Sequence, residues 1–156
     1  MTKLSSAFGK KYDSALSEIR TRKFNLGGFD FKVRVPLTAE LDAIQKRIND
    51  IDEAKFQERF KSTTEGLTDS PVAGVEVVGD DVIVNGKSSK ELVRAVLTME
   101  NRILEYVRLL VPANGSMEDI TYEDIEAEWP LAVQMQIYEA INEAIQPGYK
   151  ESRKNS

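Results

Sequence analysis

An amphipathic helix between residues 89 and 110 is the feature that most constrains the fold of this chain. Its apolar residues recur at steps of 4, 3, 4, 3 and 4 positions, which is close to heptad spacing and aligns them on one face. They are Leu92, Val96, Met99, Ile103, Tyr106 and Leu110. Ser88 and Glu91 have the spacing of a capping box that starts such a helix. The pattern predicts the central, most buried helix, and further apolar residues make the stripe wide enough to favour self-association.

Two segments carry β-strand signals. In "FDFKVRVP", apolar and polar residues alternate, which predicts a strand over about 29–35 that ends at Pro36. In "VEVVGDDVIVNG", two β-branched runs flank Gly and Asp, which predicts a β-hairpin over about 75–85. The strand and the hairpin are compatible with one sheet. Together with the helices, these signals predict an α+β fold that is mainly helical.

The N-terminal half predicts two further helices and a loop. Residues 5–23 have moderately amphipathic spacing and predict a basic N-terminal helix. A second helix is predicted to start near Thr38, a suitable N-cap, and to run to about Phe60. Residues 61–74 are rich in Ser, Thr, Gly and Pro, which is typical of a loop.

The C-terminal part predicts two helices with a break between them. A short helix starts at Thr121, and Pro130 is suited to the first turn of a new helix, so the break falls near Glu128–Trp129. The last helix is predicted to reach about Ile145. We expect one globular domain over residues 1–146, followed by a polar, disordered tail over 147–156.

The chain contains neither cysteine nor histidine. This composition excludes disulfides, thiolate or imidazole metal sites, and catalysis that depends on either residue. Any catalysis would have to rely on Asp, Glu, Lys, Tyr, Ser or Thr, so we expect no enzymatic activity, no cofactor and no metal. No apolar run approaches the roughly 18 residues of a membrane helix, and the N-terminus lacks the apolar core of a signal peptide. The sequence therefore predicts a cytoplasmic protein that does not bind membranes.

Charge is distributed unevenly along the chain. Residues 1–34 hold eight Lys/Arg and three acids, whereas residues 111–145 hold eight acids and no base. The basic segment lacks the Arg-rich cluster and the aromatic series typical of nucleic-acid binding, and the acidic body would repel phosphate. We therefore expect no nucleic-acid partner. The two charged regions are predicted to interact with each other or with a protein partner.

Three acidic or aromatic features invite a functional interpretation. The acids between 118 and 128 could bind a hard cation, but acids also favour helix N-termini, and the second interpretation is preferred. The "GDD" at 79–81 has the residues that a hairpin turn requires. Trp129 is either an anchor for a protein partner or a side chain that packs the helix break onto the core. The core interpretation of Trp129 is favoured.

Several elements, taken in order, resemble those of a known family. A basic segment leads into the strand–helix junction "FDFKVRVPLTAEL", and the long helix "KELVRAVLTMENRILEYVRLLV" follows. The acidic entry "DITYEDIEAEWP" then leads into the last helix and a polar tail. Over residues 24–150, this set resembles the tail assembly chaperones of long-tailed bacteriophages.

The resemblance implies a non-catalytic protein in the cytoplasm of the bacterial host. Such a protein binds the tape-measure protein and the tail-tube protein during tail assembly. The family has no catalytic residues to carry over, so candidate binding residues come from the apolar face of the last helix and the tryptophan before it. They are Trp129, Val133, Met135, Ile137, Ile141 and Ile145. Two alternatives remain: a structural virion or adaptor protein retained in the particle, and a small carboxylate-dependent metal enzyme.

Overall fold

The computed structural model describes residues 2–67 and 73–147, and over them the α+β fold class is confirmed. The described residues form seven helices, a two-stranded sheet and a three-stranded sheet. The chain divides into two compact units: unit 1 comprises Met1–Leu41 and Ile103–Ser156, and unit 2 comprises Asp42–Arg102. The single globular domain expected over residues 1–146 is not tested by this division and stays a prediction. The predicted tail at 147–156 lies, except for Pro147, outside the described residues.

Unit 1 begins with two short helices, so the prediction of one helix over 5–23 is wrong. Helix α1 spans Lys3–Phe8 and helix α2 spans Lys10–Ile19. Gly9 between them has φ +81°, a left-handed value at which an α-helix cannot continue. The last residues of the predicted helix belong to strand β1, Thr21–Leu26.

Strand β2, Phe29–Arg34, confirms the predicted strand, but its partner differs from the one expected. It pairs with β1 in an antiparallel hairpin, and the 75–85 hairpin forms a separate sheet. The turn consists of Gly27 and Gly28 with φ values of +61° and +83°, as a two-residue type I′ turn requires. Such a tight turn pairs β2 with the residues immediately before it.

The start of helix α3, Thr38–Asn49, is held to this hairpin by paired charges. The carboxylate of Glu40 accepts hydrogen bonds from Arg34 Nη1 at 2.6 Å and from Arg20 Nη2 at 3.0 Å. The pKa of Glu40 lies below its ordinary value, mainly because the Arg34 guanidinium donates to its carboxylate. The hydrogen bonds from the Leu37 N–H and from Arg20 lower this pKa further.

Unit 1 is completed by the end of helix α5, Ser89–Val107, and by helices α6 and α7, which span Tyr122–Glu128 and Leu131–Ile145. After α5 the chain runs beside β2, where the Arg34 N–H donates to the Leu109 carbonyl at 2.9 Å. The buried apolar residues of this unit come from both ends of its sequence. They are Val33, Ile103, Tyr106, Val107, Leu109, Leu110, Ile125, Ile137 and Ile141.

Unit 2 contains the rest of α3 and a separate helix α4, Glu53–Thr64, so the prediction of one helix from Thr38 to Phe60 is wrong. Helix α3 ends at Asn49, and Asp52 caps α4 by accepting a hydrogen bond from the Ala54 N–H at 2.9 Å. The predicted loop at 61–74 therefore starts as helix, and its residues 68–72 lie outside the described residues.

The predicted hairpin at 75–85 is confirmed as strands β3, Val75–Val78, and β4, Asp81–Val84. A two-residue strand β5, Lys87–Ser88, adds to β4 and leads directly into α5. Gly79 and Asp80 of the "GDD" form the predicted turn, with Gly79 at φ +62°, and Asp81 is the first residue of β4.

Asp81 also fastens the hairpin to the start of α5. Its carboxylate accepts hydrogen bonds from the Ser88 hydroxyl, from the Lys90 N–H at 3.1 Å and from the Val82 N–H at 2.8 Å. The Ser88 hydroxyl bond is the main reason why the pKa of Asp81 lies below its ordinary value. Ser88 Oγ in turn accepts from the Glu91 N–H at 3.2 Å, the predicted N-cap interaction.

Helix α5 buries a different face in unit 2 from the one that its heptad pattern indicates. Val93 and Leu97 are buried against Phe56 of α4. Leu92, at 57% exposure, and its stripe neighbours Val96 and Met99 face solvent instead. The second half of the predicted stripe, Ile103, Tyr106 and Leu110, is buried as expected. The prediction of one continuous buried stripe is therefore wrong for the first half of α5.

Candidate protein-binding site

The α6–α7 joint forms where the sequence predicts it. Helix α6 starts at a reciprocal capping box: the Thr121 hydroxyl accepts from the Asp124 N–H at 3.3 Å, and the Asp124 carboxylate accepts from the Thr121 N–H at 2.9 Å. It ends at Glu128, and its C-cap residue Trp129 has an extended backbone that is followed by Pro130, the N-cap of α7. The acids before the last helix thus include a true cap, as the helix-start interpretation predicts.

A buried glutamine clamps this joint. Gln134 on α7 is only 2% exposed. Its Nε2 donates to the Trp129 carbonyl at 2.8 Å, and its Oε1 accepts from the Tyr122 hydroxyl at 2.8 Å. One side chain therefore links the first residue of α6, the C-cap residue of α6 and the second turn of α7. The position of Trp129 is set by hydrogen bonds on both sides of the break.

A partly open cleft of about 220 Å³ lies beside this joint in unit 1. Its lining is mainly apolar, with two carboxylates, and is drawn from α5, the connection after α5, and α6. The lining residues are Val107, Met117, Ile120, Asp124, Ile125, Glu128 and Trp129. We refer to it as the Trp129 cleft. It is smaller than the roughly 300–1,000 Å³ of typical small-molecule sites, so its size suits a protruding side chain better than a cofactor.

The wall of the cleft that contains Met117 and Ile120 is fastened to the end of α5. Arg108 donates from Nη2 and Nε to the Ile120 carbonyl, at 2.8 and 3.2 Å. Arg108 also lies 3.4 Å from the carboxylate of Glu105, which is 6% exposed. The guanidinium thus links a buried acid to the backbone of the connection and holds a segment without regular secondary structure against the cleft.

The predicted binding residues lie in two different environments. Trp129 is half-buried and lines the cleft, while Val133, Met135 and Ile145 on α7 are half-buried. Ile137 and Ile141 are 1% and 0% exposed, so these two belong to the core of unit 1 and offer no surface to a partner. The half-buried Trp129 is thus partly packed within unit 1 and partly open to the cleft, and its role as an anchor for a partner stays a prediction.

Sequence patterns single out the lining acids Asp124 and Glu128 but not the apolar lining residues Val107, Ile120 and Ile125. Ile120 and Val107 lie in different segments, and the Arg108 bonds to the Ile120 carbonyl help to hold the two segments together at the cleft. Met117 is identifiable as an adaptable side chain by type alone. The exposed Val111 and Leu131, at 43% and 57%, add apolar surface to unit 1 that no periodicity marks.

The electrostatic character of the site is acidic. Asp124 and Glu128 line the cleft, and the segment 111–145 that supplies most of it has eight acids and no base. Within residues 2–67 and 73–147, no three or more acidic side chains come together as a group that could hold a metal ion. In the same residues, no helix has the length and apolarity needed to cross a membrane.

Comparison with protein-family models, curated proteins and solved structures gave no match for this chain.

Proposed function

We propose that the protein is a non-catalytic tail assembly chaperone of a long-tailed bacteriophage, acting in the cytoplasm of the host. It binds the tape-measure protein and the tail-tube protein reversibly until they are assembled. Two lines of support lead to this proposal: the ordered resemblance of residues 24–150 to that family, and the Trp129 cleft. The cleft is the observation that carries the proposal beyond resemblance.

The lining of the cleft favours a particular kind of client segment. An apolar lining with a tryptophan, beside a methionine that adapts to different shapes, fits one large apolar side chain of an amphipathic helix. Asp124 and Glu128 at the cleft favour a client with Lys or Arg next to that apolar residue. Such segments recur in long helical proteins, which a holdase must bind at many positions.

Co-expression with the tape-measure protein tests the proposal. We expect the soluble fraction of the tape-measure protein to depend on this protein and to fall when Glu128→Lys reverses the charge at the cleft. Glu126→Lys is the matched control, because Glu126 is an exposed acid of the same helix that does not line the cleft. If the tape-measure protein is equally soluble without this protein, the proposed function is wrong.

The virion-protein alternative makes a different prediction about finished particles. An assembly chaperone leaves once the tail is complete, whereas a structural or adaptor protein stays. Mass spectrometry of purified particles should therefore find no stoichiometric amount of this chain. Its presence at a fixed copy number per particle would favour the alternative.

A further inference from the structure

We propose that unit 2 carries a self-association surface, and that the first half of α5 pairs antiparallel with α5 of a second copy of this chain. The surface is the outward stripe of α5, defined as Leu92, Ala95, Val96 and Met99. All four are exposed, with Leu92, Val96 and Met99 at 57%, 36% and 39%. This inference does not depend on the proposed function.

The spacing of the outward stripe is that of a helix–helix interface. Leu92, Val96 and Met99 step by 4 and 3 positions, which is the pattern that packs side chains of one helix between those of another. Among the described residues, the core of unit 2 does not use this face, because Val93 and Leu97 turn the other side of α5 toward Phe56. The pattern thus persists on a face that residues 42–67 and 73–102 leave exposed.

The charges beside the stripe identify a second copy as the occupant. Glu91 and Arg102 lie eleven positions apart, which places them on the same row of the helix about 16 Å apart along its axis. Glu91 stands before the stripe and Arg102 after it. In an antiparallel pair centred near Val96, each Glu91 faces the Arg102 of the other copy, and Leu92 faces Met99. The stripe and its charges are therefore complementary to themselves, as a two-fold interface requires.

The same charges disfavour the parallel arrangement. A parallel pair would place the flank that carries Glu91 and Arg102 on opposite sides of the interface in the two copies, so the two residues could not pair and their attraction would be lost. Small side chains support close packing, since Ala95 lies in the middle of the stripe. Beyond Met99 the next stripe residue, Ile103, is 1% exposed, so the contact is limited to about three helical turns.

A contact of this length is small compared with the roughly 1,200–2,000 Å² buried in stable complexes. We therefore expect a reversible dimer that is populated at micromolar concentrations and dissociates on dilution. Sedimentation of the full chain across a concentration series from about 1 to 200 µM should show the weight-average mass rising from one copy to two.

Charge exchange tests the orientation of the pair. Glu91→Arg and Arg102→Glu should each raise the dimer dissociation constant about tenfold, and the double exchange should restore it, because opposite charges meet again. Restoration is expected only in the antiparallel arrangement. Val77→Lys is the control for general loss of exposed apolar surface, since Val77 is 63% exposed on β3, and it should leave dimerisation unchanged.

Cysteine probes test the register. The natural chain has no cysteine, so an introduced one reports without background. Val96→Cys should form a disulfide-linked dimer by itself, whereas Leu92→Cys should link efficiently only when mixed with Met99→Cys. A chain that remains one copy at 200 µM would overturn the proposal. Loss of the dimer in Val77→Lys but not in Glu91→Arg would also overturn it, and would assign self-association to the β3 edge.

Discussion

Gln134 offers the sharpest test of how the α6–α7 joint is held. Replacing it with leucine keeps a similar volume in the core but removes both hydrogen bonds of the clamp, those to the Trp129 carbonyl and to the Tyr122 hydroxyl. Each such bond contributes about 0.5–1.5 kcal/mol, and the Trp129 carbonyl loses its side-chain donor. We therefore expect Gln134→Leu to lower the free energy of unfolding by about 1–3 kcal/mol.

Trp129 itself supplies the assay. It is the only tryptophan of the chain, and its own carbonyl belongs to the clamp, so its fluorescence reports unfolding of unit 1 in urea. With a urea slope of about 1–3 kcal/mol per molar, the midpoint should fall by about 1 M. Tyr122→Phe is the matched control: it removes one of the two bonds and should cost about 0.5–1.5 kcal/mol.

The double variant separates the clamp from general packing. Because Gln134→Leu already removes the bond to Tyr122, adding Tyr122→Phe should cost little more, and the two effects should fall short of their sum by about 0.5–1.5 kcal/mol. Strict additivity, or a Gln134→Leu variant as stable as the natural chain, would refute the reasoning.

Three further predictions concern unit 2 and the charges near α3. Leu97→Ala should lower the free energy of unfolding by about 2–5 kcal/mol. Val96→Ala, one position earlier, should lower it by less than about 1 kcal/mol at concentrations where the chain is monomeric. If thermal melts show Val96→Ala to be the more destabilising change, the orientation of α5 described above is wrong. Asp81→Ala should lower the melting temperature and increase amide hydrogen exchange in the first turn of α5, because three hydrogen-bond donors lose their acceptor. If exchange in that turn is unchanged, Asp81 does not hold the start of α5 to the hairpin. The pKa of Glu40 is lowered in the folded chain, so its stabilisation is complete above the ordinary value of 4.5 and is lost as the pH falls through the lower folded value. Glu40→Gln should therefore have a lower free energy of unfolding than the natural chain at pH 7, and the two values should converge in acid. If the difference between them stays constant down to pH 2, the ion pairs of Glu40 do not cause it.

Local chemistry determines the features that the sequence predicts correctly. The alternation of apolar and polar residues predicts β2, and the β-branched runs around "GDD" predict β3 and β4. The Thr121 cap together with Pro130 predicts the joint between α6 and α7. Each depends on residues that are neighbours in the chain, and a sequence pattern contains that information directly. Strand β1 escapes prediction because "TRKFNL" has little apolar alternation, and its pairing comes from the turn that follows it.

Tertiary packing decides what the sequence leaves open. On α5, Leu92 with Val96 and Val93 with Leu97 are both apolar pairs at helical spacing. The second pair enters the core because Phe56, with Ile51 and Phe60 beside it, packs on that side of the helix. The Trp129 cleft is similar: the tryptophan and its helix break are visible in the sequence, but Val107 and Ile120 join it through a fold-back of the connection.

The absence of lysine and arginine from residues 109–149, the segment that supplies most of the Trp129 cleft, has a practical consequence for labelling the protein. Between Arg108 and Lys150 there is neither lysine nor arginine, so trypsin releases α6, the joint and α7 within a single peptide, and amine-reactive reagents find no target on any of them. Coupling the protein to a solid support through its lysines therefore leaves the residues of the cleft unmodified. A column prepared in this way would present the cleft chemically intact to peptides of the proposed tape-measure client, and a protease that cuts at acidic or aromatic residues would map where they bind.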